Sequence, residues 1–243
     1  MNTTGTGDAG ELMEETMTAT GDEETSDEAA LRLSGHDGLR ADIYRLLARL
    51  LREAPDADLL GFLADLDIIE DNGDLKTSWK ALTLAAATAR PEGLERAHFR
   101  HLIGVIQGEL VPYASWYLTG SLMEMPLVEL RRDLKRLGFE RAPDVKEPED
   151  HIAAMLEVMA MLIESDPEQQ AIFFQRHLAS WGSDFMTDLA RVDTPFYASV
   201  GQLGHTFLQQ EAALNVPDET PRAIASTTLF DSPDSSRHDP STP

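Results

Sequence analysis

Residues Ile152–Ile163 read I-A-A-M-L-E-V-M-A-M-L-I, and this stretch decides the fold. Ile152, Met155, Leu156, Met159, Leu162 and Ile163 recur at the three- and four-residue steps of a helix. Glu157 cuts the apolar run, which is far short of the roughly 20 residues that span a bilayer. The stretch is therefore a core helix of a water-soluble body. Downstream, Asp166-Pro167 restarts the chain with Pro167 at the first helical position, where its missing N–H costs nothing. Phe173, Phe174, His177 and Leu178 follow, then Trp181, Phe185 and Leu189. Pro195 opens a last helix carrying Phe196, Val200, Leu203, Phe207 and Leu208.

The same period runs upstream. Pro126 opens a helix through Leu127, Leu130, Leu134 and Leu137, with Gly138 placed as its C-cap. His98, Phe99, Leu102 and Ile106 mark another, and Trp79, Leu82 and Ala86 a third beyond the Asn72-Gly73 turn. Leu59, Leu60, Leu63 and Leu66 precede that turn, and Leu39, Ile43, Leu46, Leu47 and Leu50 run up to Pro55. No alternating β-branched run suggests a strand. The expected class is all-α, a helical bundle of about nine helices in two lobes joined by a hinge.

Composition sets the limits. The formal charge is −23 on 243 residues, but nine acids and no base lie in residues 1–30, and residues 215–243 add −3. The body carries about −11, an ordinary acidic protein. Nucleic-acid binding, which needs a basic face, is not expected. Cysteine is absent, so disulfides, thiolate metal sites and cysteine nucleophiles are excluded. No secretory signal and no transmembrane segment are visible, which suits a cytoplasmic protein. The polar, acidic stretch 1–35 and the Pro/Ser/Asp-rich stretch 216–243 read as disordered tails. Residues 36–141 form the expected N-terminal lobe, 142–150 the hinge and 151–215 the C-terminal lobe. The short, proline-bounded hinge permits either a monomer or a domain-swapped dimer.

Two motifs stand out. Glu109–Gly120 reads E-L-V-P-Y-A-S-W-Y-L-T-G, and Glu147–His151 reads E-P-E-D-H. Tyr113, Trp116 and Tyr117 suit either a packed core or an aromatic groove for a peptide. Pro148 with Glu149 and Asp150 suits helix initiation, and Asp150-His151 suits a polar pair set between two lobes. His98 and His101 share a helix face but lack the neighbouring carboxylates of a dinuclear site, so no metal is expected. Gly104–Gly108 lacks the lysine of a phosphate loop, and no nucleophile elbow is present.

In these segments, together with P-L-V-E-L-R at Pro126–Arg131 and F-F-Q-R-H-L-A-S-W at Phe173–Trp181, the chain resembles the TorD/DmsD family of cytoplasmic chaperones, related more distantly to NarJ. The likeness runs from about Leu39 to Glu211. It implies a system-specific chaperone, not an enzyme. The implied partners are the twin-arginine signal peptide and apo catalytic subunit of a molybdopterin-dependent oxidoreductase, a formate dehydrogenase or a DMSO/TMAO-reductase-type enzyme, held until its cofactor is inserted. The resemblance implies peptide binding by Tyr113, Trp116, Tyr117, Glu147, Pro148, Asp150 and His151, with Asp150 drawing the arginines on an acidic rim. No resident cofactor is expected; some relatives are credited with guanine nucleotide (GTP), for which this chain shows no phosphate loop. The competing readings are a nucleotide hydrolase using the acid-histidine cluster and an acidic adaptor acting through its tail.

Overall fold

The computed structural model describes residues 20–68, 73–103, 108–143 and 145–215, with side chains from Gly35 onward. The expected tails at 1–19 and 216–243 and the Asn72 turn position lie outside the described residues. Ten α-helices are present among the described residues: α1 Thr20–Arg52, α2 Ala57–Ala64, α3 Asp74–Thr88, α4 Pro91–His98, α5 Ala114–Thr119, α6 Met125–Leu137, α7 Ile152–Ser165, α8 Pro167–Phe173, α9 Gly182–Leu189 and α10 Pro195–Leu214. Two single π turns, Phe99–Ile103 and Phe174–Leu178, extend α4 and α8. The all-α expectation holds. Helix α1 enters the stretch read as a tail, beginning at Thr20, where acids Asp22, Glu23 and Glu24 favour a helix N-terminus.

Sequence signals account for most of the boundaries. Gly138 follows α6 at φ 80°, a left-handed position that glycine takes without strain. Asp166 caps α8 by accepting the Gln169 N–H, with Pro167 in the first turn. The boundary that differs is the start of α7. Pro148, Glu149 and Asp150 lie before the helix in a turn closed by the His151 N–H donating to the Pro148 carbonyl (3.1 Å). His151 itself is the N-cap, its Nδ1 accepting the Ala153 N–H at 3.1 Å.

Helix α7 is central. Nine of its side chains are buried, on almost every face. Helix α1 lies along it more extensively than any other pair of elements, α9 and α3 pack on α10, and α2 packs on α3. One hydrophobic core includes residues of both chain halves, from Tyr44 and Leu47 to Phe185 and Phe207. Packing thus crosses residues 142–150, and elements before and after that segment share the core.

Polar ties pin α1 to later helices. Arg40 grips the buried Glu211 of α10 through Nε (2.7 Å) and Nη2 (2.8 Å), and the Tyr44 hydroxyl donates to the same carboxylate at 3.0 Å. Arg52 makes a two-bond pair with Glu157 of α7, at 2.9 and 2.7 Å.

At the α9–α10 crossing, a Cβ on Gly201 would stand 2.3 Å from the Ala190 nitrogen and 2.7 Å from the Leu189 carbonyl carbon. The obstruction is backbone and cannot rotate away. Gly201→Ala is expected to lower unfolding free energy by about 1–3 kcal/mol or more, read as a lower urea midpoint at unchanged slope.

Candidate functional site

The two motifs, more than thirty residues apart in sequence, meet in space. Tyr113 and His151 form an isolated antiparallel β-bridge. The Ala114 N–H donates to the Asp150 carbonyl and the Ile152 N–H to the Pro112 carbonyl, each at 2.9 Å. The two chain breaks that open α5 and α7 are thus tied to one another.

Asp150 locks the joint. Its carboxylate accepts the Ser115 N–H at 3.0 Å and the Ser115 hydroxyl at 2.5 Å. Ser115 lies in the first turn of α5, so the carboxylate satisfies an N–H that the helix leaves unpaired. Asp150 is only 1% exposed. It therefore does not stand on an acidic rim, and its charge serves the N-terminus of α5 rather than that of α7.

The other sequence candidates separate. Tyr117 packs its ring 5.5 Å from Trp181 and 6.0 Å from Phe185, and its hydroxyl donates to Asp188 at 3.0 Å. It is a strut on the core, so the three aromatics do not line one groove. Trp116 is half-buried and lines neither of the two larger cavities. Tyr113 stacks edge-on against His151 with centroids 5.1 Å apart, and its hydroxyl donates to Glu147. Burial, then that bond, raises the phenol's pKa well above its ordinary value. Glu147 is exposed and Pro148 half-buried.

His151 is 8% exposed. Burial, with Arg52 and His98 nearby, depresses its pKa from 6.5 to about 3. The ring is neutral and Nδ1 is an acceptor, so the proton sits on Nε2, which has no acceptor among the described residues. His98, on the same cavity wall, is also held below its ordinary value by burial.

Two cavities flank this joint. The smaller, ≈ 250 Å³, is lined by His151, Tyr113, Pro112, His98, Leu122 and Arg52 among others. The larger, ≈ 660 Å³, runs between α6 and α7 under the connector Phe139–Glu149. Its size falls within the range of about 300–1,000 Å³ typical of ligand clefts. Arg52 and Glu147 line both cavities. Sequence reading missed Arg52 and the α6 wall. Arg52 reaches this place only because α1 packs on α7, and no local pattern records that. Among the described residues, no three His, Asp or Glu side chains are grouped to hold a metal.

Comparison with known proteins gives one consistent answer. The family model described as "Nitrate reductase delta subunit" matches residues 68–187. A chaperone protein TorD from Shewanella pealeana is 27% identical over 207 residues, 72% of this chain and 89% of its own. The Tat proofreading chaperone DmsD of Salmonella typhimurium is 30% identical over 158 residues, 60% of this chain and 78% of its own. A second TorD, from Actinobacillus succinogenes, is 31% identical over 102 residues, of which this chain covers about half the length (53%).

Asp150→Ala removes two hydrogen bonds to a buried carboxylate and leaves the Ser115 N–H unpaired. It is expected to cost roughly 2–3 kcal/mol of stability, measured by denaturant unfolding, so a binding defect in that variant reports folding as well as recognition. A pH effect follows from His151. Its ring stays neutral in the folded chain down to about pH 3 but titrates near 6.5 when unfolded. Protons then favour the unfolded state, and stability falls as pH drops from about 6.5 toward 3. His151→Asn keeps an N-cap acceptor and is expected to make stability less steep across that window, read from melting temperature against pH.

Proposed function

The chain belongs to the TorD/DmsD family of molybdoenzyme-maturation chaperones, and on that premise we propose that it holds a client precursor by its twin-arginine signal peptide and apo body until the molybdopterin cofactor is inserted. The work is done in the cytoplasm, before export, and it is binding rather than catalysis. The client is a molybdopterin-dependent oxidoreductase, of the formate-dehydrogenase or DMSO/TMAO-reductase type. The chain itself needs no cofactor for this role.

The observation that supports the reading is the joint at Tyr113 and His151. It sets an unpaired ring N–H, the Tyr113–Glu147 pair and two adjoining cavities at one place. A peptide backbone carbonyl is the natural acceptor for the His151 Nε2–H, because a neutral imidazole with Nδ1 engaged can only donate there. The exposed carboxylate of Glu147 supplies a charge for a basic residue. Apolar walls from α6 and α7 suit the uncharged part of a signal peptide. No helix among the described residues is long and apolar enough to cross a membrane.

Calorimetric titration with a client signal peptide tests this. Binding is expected, weakened when both arginines are replaced by Gln and weakened by added salt. Absence of binding by the intact chain would remove the reading.

A further inference from the structure

We infer that the α6–α7 groove is the seat of the apolar run of the bound signal peptide, and that Glu147, not Asp150, receives its arginines, which fixes the direction in which the peptide lies. This rests on the signal-peptide reading above.

The groove is the one place where α7 is left open. Ala154, Glu157 and Met161 are the residues of its middle turns that are not buried, and they are spaced three and four apart on a single stripe. All three line the larger cavity, with Met155 and Val158 beside them. Across the gap stand Leu130 and Leu134, one turn apart on α6. Met161 is 41% exposed. An otherwise enclosed apolar helix with one apolar stripe facing an open cleft is a surface that another apolar segment can cover.

Charge identifies that segment. Four acids and four bases line the cleft. Glu157 is paired with Arg52 at 2.7 Å, and Glu149 with Arg131 at 2.7 Å and Arg141 at 3.7 Å. Glu140 and Glu147 have no cation within reach among the described residues, and Lys135 on α6 has no paired acid. Arg141 also lies against the Glu147 carbonyl, at 3.1 Å, so its charge is shared between that oxygen and Glu149. The acids left over are the two at the ends of the connector. Glu147 precedes α7 and Met161 lies near its far end.

Ala154 to Met161 spans about 10 Å at 1.5 Å per residue. A ligand with a cationic end and an apolar continuation matches that layout. Its arginines lie at Glu147, beside the start of α7, and its apolar residues run along the stripe toward Met161. Asp150, buried and engaged with Ser115, has no part in the contact. Arg52, neutralised by Glu157, forms the wall between the two cavities.

The test uses the full chain and a synthetic peptide of two arginines followed by an apolar run of about a dozen residues, with its double-Gln counterpart. Glu147→Gln and Met161→Arg change exposed side chains, and circular dichroism and melting confirm that both fold. Glu147→Gln is expected to weaken the arginine peptide roughly 5- to 10-fold, while leaving the Gln peptide unchanged, so that the two changes are not additive. Met161→Arg is expected to weaken both peptides at least about tenfold, because it places a charge on the apolar stripe. If the unaltered chain binds and either variant binds the arginine peptide within twofold of it, the assignment is overturned. If the unaltered chain binds neither peptide, the signal-peptide reading falls and this inference falls with it, a result distinct from the first because the unaltered chain itself fails.

Discussion

The structure depends on the burial of one helix. An α-helix that is apolar on nearly every face gains no stability in water and must be covered from all sides. In α7, nine side chains are buried, and the helices before and after it in sequence supply the cover. That requirement explains why α1 lies along a helix a hundred residues downstream, and why the core does not divide where the chain has its proline-bounded connector. Arg52–Glu157 and Arg40–Glu211 fix the angle of α1 once the apolar faces have met. The one stripe left uncovered by the chain's own helices becomes the floor of the cleft.

Where α7 begins, a second constraint operates. Two helix starts meet there, and each presents backbone N–H groups with no partner in its own helix. The bridge between Tyr113 and His151 satisfies two of them across chains, Asp150 a third and the His151 ring a fourth. A buried carboxylate is tolerated only when it is well hydrogen-bonded; Ser115 gives Asp150 both a backbone N–H and a hydroxyl. An acid that reads as a recognition residue in sequence is thereby a structural bolt. Recognition is left to groups the bolt does not consume: Glu147, the Tyr113 hydroxyl and the His151 Nε2–H.

Much was legible in the chain before its structure. Proline and glycine punctuation placed the starts of α4, α8 and α10 and the end of α6, because those residues act through their own backbone torsions. Trp181 and Phe185 were read as core residues from their spacing and are buried. The motifs Glu109–Gly120 and Glu147–His151 were singled out, and they do meet. The roles within them were less legible. Tyr113, Trp116 and Tyr117 sit within one short helix start, yet they face a cavity edge, a half-buried surface and the Trp181–Phe185 core in turn.

The sequence alone therefore determined the class of fold, the punctuation of the helices and the family resemblance, since all three rest on local pattern: period, torsion and the order of short motifs. Only the tertiary structure decided which acid is spent and which is free, which aromatic is a strut, and where α7 stays uncovered. Those outcomes depend on contacts between residues far apart in the chain, such as Ser115 with Asp150, Tyr117 with Asp188 and Arg52 with Glu157. Burial and hydrogen-bond partnership are properties of such pairs, and no single segment carries them.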